Sequence, residues 1–214
     1  MRIVPFELAV VCTVMCVAVG CTSYQTRKDN TPGRPTVYDD PATPGTVQGV
    51  GIESQDLIST TDLMVRDMLA NPTLAGQKEP PRVVVDAYYL RNEGSSRINK
   101  NMITDRLRIN LNRAAHGRMV FLARHHSDMV ADERKVKRSG EVDPGTTEHA
   151  AAPLGADYRL GGRITTHDAV DSRSGLTSRY HLIVFEMIDL ETSQIVWGNQ
   201  YEFKKTSQDD VIYR

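Results

Sequence analysis

The part of this sequence that folds contains no cysteine. All three cysteines, Cys12, Cys16 and Cys21, fall in or directly after an N-terminal segment that reads as a cleavable leader. Disulfides, thiolate nucleophiles and cysteine metal sites are therefore excluded from the domain, and an oxidising compartment leaves no mark on its fold. Long apolar runs are also missing. The longest, Leu8 to Val19, falls short of the roughly 20 residues a helix needs to cross a hydrocarbon core, so no permanent transmembrane helix is expected. Nor is there an excess of either charge: 26 Lys+Arg stand against 27 Asp+Glu, which gives nucleic acid no global electrostatic pull.

What is present begins with that leader. Arg2 precedes the apolar run, and small residues then lead into Ala18-Val19-Gly20-Cys21, the order of a signal peptide. The last four residues resemble a lipobox, in which a small residue precedes a cysteine that is acylated before cleavage. Residues 1–20 are expected to be removed and Cys21 to carry the lipid. With each buried methylene contributing about 0.8 kcal/mol, several acyl chains would make attachment effectively permanent. Thr22 to Gly49 is rich in Pro, Thr, Gly and Asp, with Pro32, Pro35, Pro41 and Pro44 and almost no large aliphatics. Such a stretch cannot bury a core and reads as a linker. A flexible chain of that length averages roughly 30 Å end to end and reaches about 90 Å when stretched. The expected organisation is a signal peptide over 1–20, a lipidated and disordered linker over 21–49, and one globular domain over 50–214.

Within the domain, Leu57, Ile58, Met64, Val65, Met68 and Leu69 lie close to one helical stripe over Ser54 to Ala70, which Asn71-Pro72 stops. Arg82 to Leu90, with Val83, Val84, Val85, Tyr88 and Tyr89, suits a strand, because branched and aromatic side chains crowd a helical turn. Asn99 is placed to cap a helix carrying Ile103, Leu107 and Leu111 and ending near His116-Gly117; Met119 to Ala123 then reads as a short strand. Ser127 opens a mostly solvated helix that is acidic early and basic late, stopping at Gly140. A loop around Asp143-Pro144-Gly145 and a short helical turn near Ala150 follow.

The remainder reads as strands. Tyr158 to His167 alternates, with Tyr158, Leu160 and Ile164 on one face and Arg159, Arg163 and His167 on the other. Thr177 to Asp189 is apolar on both parities, so its centre is expected to be covered on both faces. After a turn, Ile195, Trp197, Tyr201 and Phe203 form the inner face of a last strand. The expected fold is α/β (α+β), a single domain with a four- to five-stranded mixed sheet, a C-terminal antiparallel meander and flanking helices.

Motifs for chemistry are few. His125-His126 would point two rings different ways on a strand or helix end, and His116, His149, His167 and His181 are scattered, so no metal site is expected. Gly49-Val50-Gly51 lacks a third glycine and a preceding strand, and Gly161-Gly162 sits inside a strand; neither resembles a phosphate-cradling loop. No serine occupies a nucleophile elbow. No cofactor, no small-molecule substrate and no catalytic residue is assigned. The basic run Arg134 to Arg138 reads as a solvated helix end. More informative are Arg159 and Arg163, with Arg179 expected alongside on the neighbouring strand: a row of cations on a sheet face suits an acidic partner surface.

Taken together, the lipobox and Pro-rich tether, the strand Arg82 to Leu90 followed by the helix near Asn99 to Leu111, Leu154-Gly155-Ala156-Asp157-Tyr158 entering a strand, and the closing Thr192-Ser193-Gln194-Ile195-Val196-Trp197 resemble the LpoB-like lipoproteins. The resemblance runs from Gly51 onward. It implies a sheet flanked by helices in the style of the TolB N-terminal domain and a non-catalytic role. Such lipoproteins are anchored in the outer membrane and face the periplasm. They dock on the accessory domain of a class A (bifunctional) penicillin-binding protein and stimulate peptidoglycan synthesis, and Thr22 after the cysteine agrees with outer-membrane sorting. Two other classes stay open: a TolB-like accessory of another envelope assembly or secretion machine, and an enzyme.

Overall fold

The computed structural model describes residues 36–45, 48–147 and 152–208. The leader, Cys21, His149 and the helical turn expected near Ala150 lie outside the described residues. The chain divides into two units, Met1–Tyr38 and Asp39–Arg214, and the second carries all the described helices and strands: α1 (Ser54–Ala70), α2 (Pro72–Ala75), β1 (Arg82–Val84), β2 (Leu90–Asn92), α3 (Lys100–Ala114), β3 (Val120–Phe121), α4 (Ser127–Ser139), β4 (Tyr158–Asp171), β5 (Leu176–Asp189) and β6 (Ile195–Gln208).

α1 starts where the sequence offers a reciprocal cap: the Asp56 carboxylate accepts from the Glu53 N–H at 2.8 Å while Glu53 receives the N3 amide. It stops where Asn71 turns its side chain onto the amides of Thr73 and Leu74 to open α2. Met64 and Met68 on α1, and Ile103, Leu107 and Leu111 on α3, are fully buried with Leu160, Ile164, Ile183, Phe185 and Met187 of the sheet. Both helices therefore cover one face, toward which alternate residues of β4 and β5 point. Arg106 ties the helices together, donating to the Thr61 hydroxyl at 2.8 Å and to Asp62 at 3.3 Å. The Trp197 indole N–H donates to Asp67 at 2.6 Å and fixes α1 over β6.

The sheet is mixed and six-stranded, in the order β3-β1-β4-β5-β6, with β2 also on β4. The sixth strand arises because the run Arg82 to Leu90 is not one strand. Val83 pairs with Tyr158 and Leu90 with Gly162, so the chain advances seven residues while its parallel partner advances four. The surplus bulges out at Val85 to Tyr89, and the Asp86 carboxylate turns it by accepting from the Tyr88 N–H at 3.1 Å. Gly162 is obligatory at this join: a Cβ there would lie 2.3 Å from the Val184 carbonyl oxygen and 3.3 Å from Leu90. Arg82 locks β1 to β4, donating to Asp157 from its backbone at 2.7 Å and from Nε at 3.0 Å.

Two further expectations about the strands fail. Ile195 is 60% exposed, because the register slips between Met187 and Ile188: Met187 faces Trp197, but Ile188 faces Ile195. One extra residue reverses parity and sends Ile195 outward with Ile188. The centre of β5 is covered on one face only: Ile183, Phe185 and Met187 are buried, whereas Val184, Glu186 and Ile188 are half-buried. α4 carries no buried side chain and ends at Gly140 in the left-handed conformation (φ 82°). Among the described residues, no helix is long and apolar enough to cross a membrane.

The segment that enters α1 is fastened to the far end of the meander. Val50 is 3% exposed, and its carbonyl accepts from His181 Nε2 at 2.6 Å. Lys205 donates to the Gly51 carbonyl at 3.2 Å and to Asp56 at 2.6 Å. The His181 ring stacks on Phe203 with centroids 4.6 Å apart.

Candidate functional site

The face of the sheet turned away from α1 and α3 carries Arg159, Gly161 and Arg163 from β4, Val184, Glu186 and Ile188 from β5, and Arg91 from β2. Their alternation with buried Leu160, Ile164, Phe185 and Met187 fixes this assignment. They and Tyr89 line an open groove of about 400 Å³.

Arg159 sits at its edge and is not a free cation. Its guanidinium donates to Asp86 at 2.8 Å, and this pair is largely covered, with side-chain exposures of 25% and 10%. Above it, the guanidinium carbon lies 4.7 Å from the Tyr89 ring centroid and 5.5 Å from that of Tyr88, within cation–π range. The two rings meet edge to face at 4.9 Å. Nevertheless Tyr88 is 78% and Tyr89 52% exposed. A salt-bridged arginine thus holds two adjacent aromatic rings out in water, at a bulge that exists only because β1 and β2 are offset on β4.

Arg163 is different. It is exposed, faces Arg91 in register on β2, and neither side chain makes an ion pair or hydrogen bond among the described residues. Arg179 does not stand beside them. Val184 is opposite Arg163, so Arg179, five residues earlier on β5, has the other parity and lies on the helix side of the sheet. There it donates to both oxygens of Asp168, at 2.6 and 2.8 Å, and to the Ser96 hydroxyl at 2.9 Å. The Arg179 hydrogen bonds hold the Asp168 carboxyl below the usual carboxylate range, against the opposing effect of burial.

The described histidines form no metal cluster. His125 and His126 lie in a 3-10 turn, not a strand, and their rings come together at 4.1 Å rather than pointing apart. His181 is fully buried, with Nδ1 unpartnered, and burial pushes its pKa down. Among the described residues, no three His, Cys, Asp or Glu side chains are grouped to hold a metal ion. Sequence reading missed Asp86, Tyr88, Tyr89 and Arg91 as site residues. One signal was there: in a strand, adjacent Tyr88 and Tyr89 cannot both face the core.

An open sheet face with paired exposed aromatics and unneutralised guanidiniums has the composition of a surface that docks on another macromolecule. The chain belongs to the LpoB family: the model of that family, described as peptidoglycan-synthase activator LpoB, matches residues 56–203. Among solved structures, the LpoB C-terminal domains from Salmonella enterica and Escherichia coli are each 17% identical, covering 69% of this chain and 98% of theirs, with TM-scores of 0.39 and 0.40. Lipoprotein GNA1162 from Neisseria meningitidis is 14% identical over 62% of this chain and 88% of its own, with a TM-score of 0.31. No curated protein is significantly similar.

Proposed function

We propose that this protein is a lipid-anchored activator that binds a class A penicillin-binding protein and raises its rate of peptidoglycan synthesis. Family membership supports the activator role. In this reading Cys21 carries the anchor, the outer membrane holds it on its periplasmic side, and the linker up to Gly49 supplies reach. The protein performs no chemistry itself. It binds the synthase's active conformation more tightly than the resting one, since a ligand shifts an equilibrium only by its differential affinity.

Docking is through the helix-free face, around Tyr88, Tyr89, Arg159 and Arg163. The observation that carries this choice is the tyrosine pair held out by the Arg159–Asp86 ion pair. Large rigid aromatics backed by arginine concentrate binding energy at protein interfaces. Arg179, already engaged on the other side of the sheet, takes no part.

The test is glycan polymerisation and cross-linking by the same organism's class A synthases, with and without the purified protein. A several-fold rise that the double substitution Tyr88→Ala/Tyr89→Ala abolishes, with the thermal midpoint unchanged, is expected. A rise that survives the substitution moves the docking surface elsewhere. No rise and no binding to any such synthase overturns the activator reading in favour of an accessory role in another envelope assembly.

A further inference from the structure

We infer that Arg91 and Arg163 form a two-guanidinium clamp for a single carboxylate, an Asp or Glu side chain of the protein partner. This rests on the docking face proposed above and assigns its chemistry. The two arginines are cross-strand neighbours on parallel β2 and β4, and like charges at such positions repel. Neither arginine makes an ion pair or hydrogen bond among the described residues. Glu93 and Glu186 line the same groove, yet neither pairs with either arginine. Two guanidinium forks side by side match the oxygens of one carboxylate, which each can engage through paired N–H donors.

The groove is also shaped to admit that side chain. Two residues before Arg163, the chain has Gly161, where a Cβ would meet only the Tyr89 carbonyl oxygen at 3.9 Å. A side chain would fit at that position, and its absence leaves the groove open beside the clamp. The flanking carboxylates decide the class of ligand. Glu93 and Glu186 repel a second negative charge close to the first, so a phosphate-rich surface, whether nucleic acid or anionic lipid, is disfavoured relative to one isolated acid. Half-buried Val184 and Ile188 suit an apolar residue next to it. The occupant is therefore an acidic residue within a mixed polar and apolar protein surface.

The experiment compares wild type, Arg91→Ala and Arg91→Glu, each as the full chain, for affinity to the class A synthase and for thermal midpoint. Arg91→Glu places an internal carboxylate against Arg163 and fills the clamp from within. We expect Arg91→Ala to weaken binding about tenfold and Arg91→Glu about a hundredfold, in the range of charge pairs at interfaces. Arg91→Glu should at the same time raise the midpoint slightly. Loss of synthase binding in Tyr88→Ala/Tyr89→Ala with no loss in Arg91→Glu would overturn the clamp and leave the docking face standing. No binding by the wild type would overturn both. Wild-type binding to phosphatidylglycerol vesicles that Arg91→Glu abolishes, with synthase affinity unchanged, would replace the protein carboxylate with a lipid phosphate.

Discussion

The two faces of the sheet treat their cations differently, except that Asp86 holds Arg159 on the open face as well. On the helix side, Arg179 is held by Asp168 and Ser96, and Lys205 by Asp56, Glu53 and the Gly51 carbonyl. On the open side, Arg91 and Arg163 face each other with no partner among the described residues. Both sides carry arginine at alternate strand positions, so residue type does not separate them. Cover does: a cation taken out of water must be paired or its desolvation is uncompensated, whereas an exposed one keeps its hydration and stays available. An arginine already satisfied inside the molecule is scaffolding; one left in water beside another arginine is the better candidate for recognition.

Four substitutions sharpen or break that contrast. The largest effect is expected on the covered face. Arg179→Ala leaves Asp168 without its forked donor and removes the Ser96 hydrogen bond, and should lower unfolding stability by about 1–2 kcal/mol in denaturant titrations, because solvent at the exposed Asp168 screens the ion pair. Because Asp168 has its pKa depressed by Arg179, its stabilisation is present above the ordinary carboxylate range and fades as pH falls through it. The variant should therefore also show a shallower loss of stability in acid.

A smaller effect is expected at His181. Burial lowers its pKa from the ordinary 6.5, and nearby Arg179 and Lys205 lower it further while the Val50 carbonyl and Asp56 oppose them. The folded imidazole stays neutral where the unfolded one takes up a proton. Stability therefore falls as pH drops below the ordinary histidine value, with a slope of at most about 1.4 kcal/mol per pH unit for one proton. His181→Phe should remove that slope between pH 7 and 5, measured by thermal melts across pH. The smallest effect belongs to the open face: Arg91→Ala or Arg163→Ala should shift stability by no more than about 0.5 kcal/mol, as surface changes usually do. A loss as large as that of Arg179→Ala would erase the distinction between the faces.

Much of the fold was legible in periodicity. The stripe through Met64 and Met68, the Asn99 cap and the alternation of Tyr158, Leu160 and Ile164 appear in the structure as α1, α3 and β4. What failed depended on register. The bulge at Val85 to Tyr89 follows from where β1 and β2 pair on β4, and no count along Arg82 to Leu90 contains that information. Ile195 was misassigned because one slipped residue reverses a strand's faces. Arg179 was misassigned for a related reason: which parity of β5 accompanies Arg159 and Arg163 depends on the hairpin register, here Arg163 opposite Val184. The site was accordingly half legible. Arg159 and Arg163 share a face, as their spacing within one strand requires, while Arg91 and the tyrosines come from a strand whose position only tertiary pairing sets.

The Arg82–Asp157 clamp joins residues 75 apart in the chain, whereas β4, β5 and β6 follow one another through short turns. Closing a long loop costs more chain entropy than closing a short hairpin. The tyrosine bulge exists only once both β1 and β2 have found β4. A chain that has made the meander alone has no such bulge and nothing to place Arg91 beside Arg163. The docking face proposed above would then exist only in molecules that have completed their most distant closures.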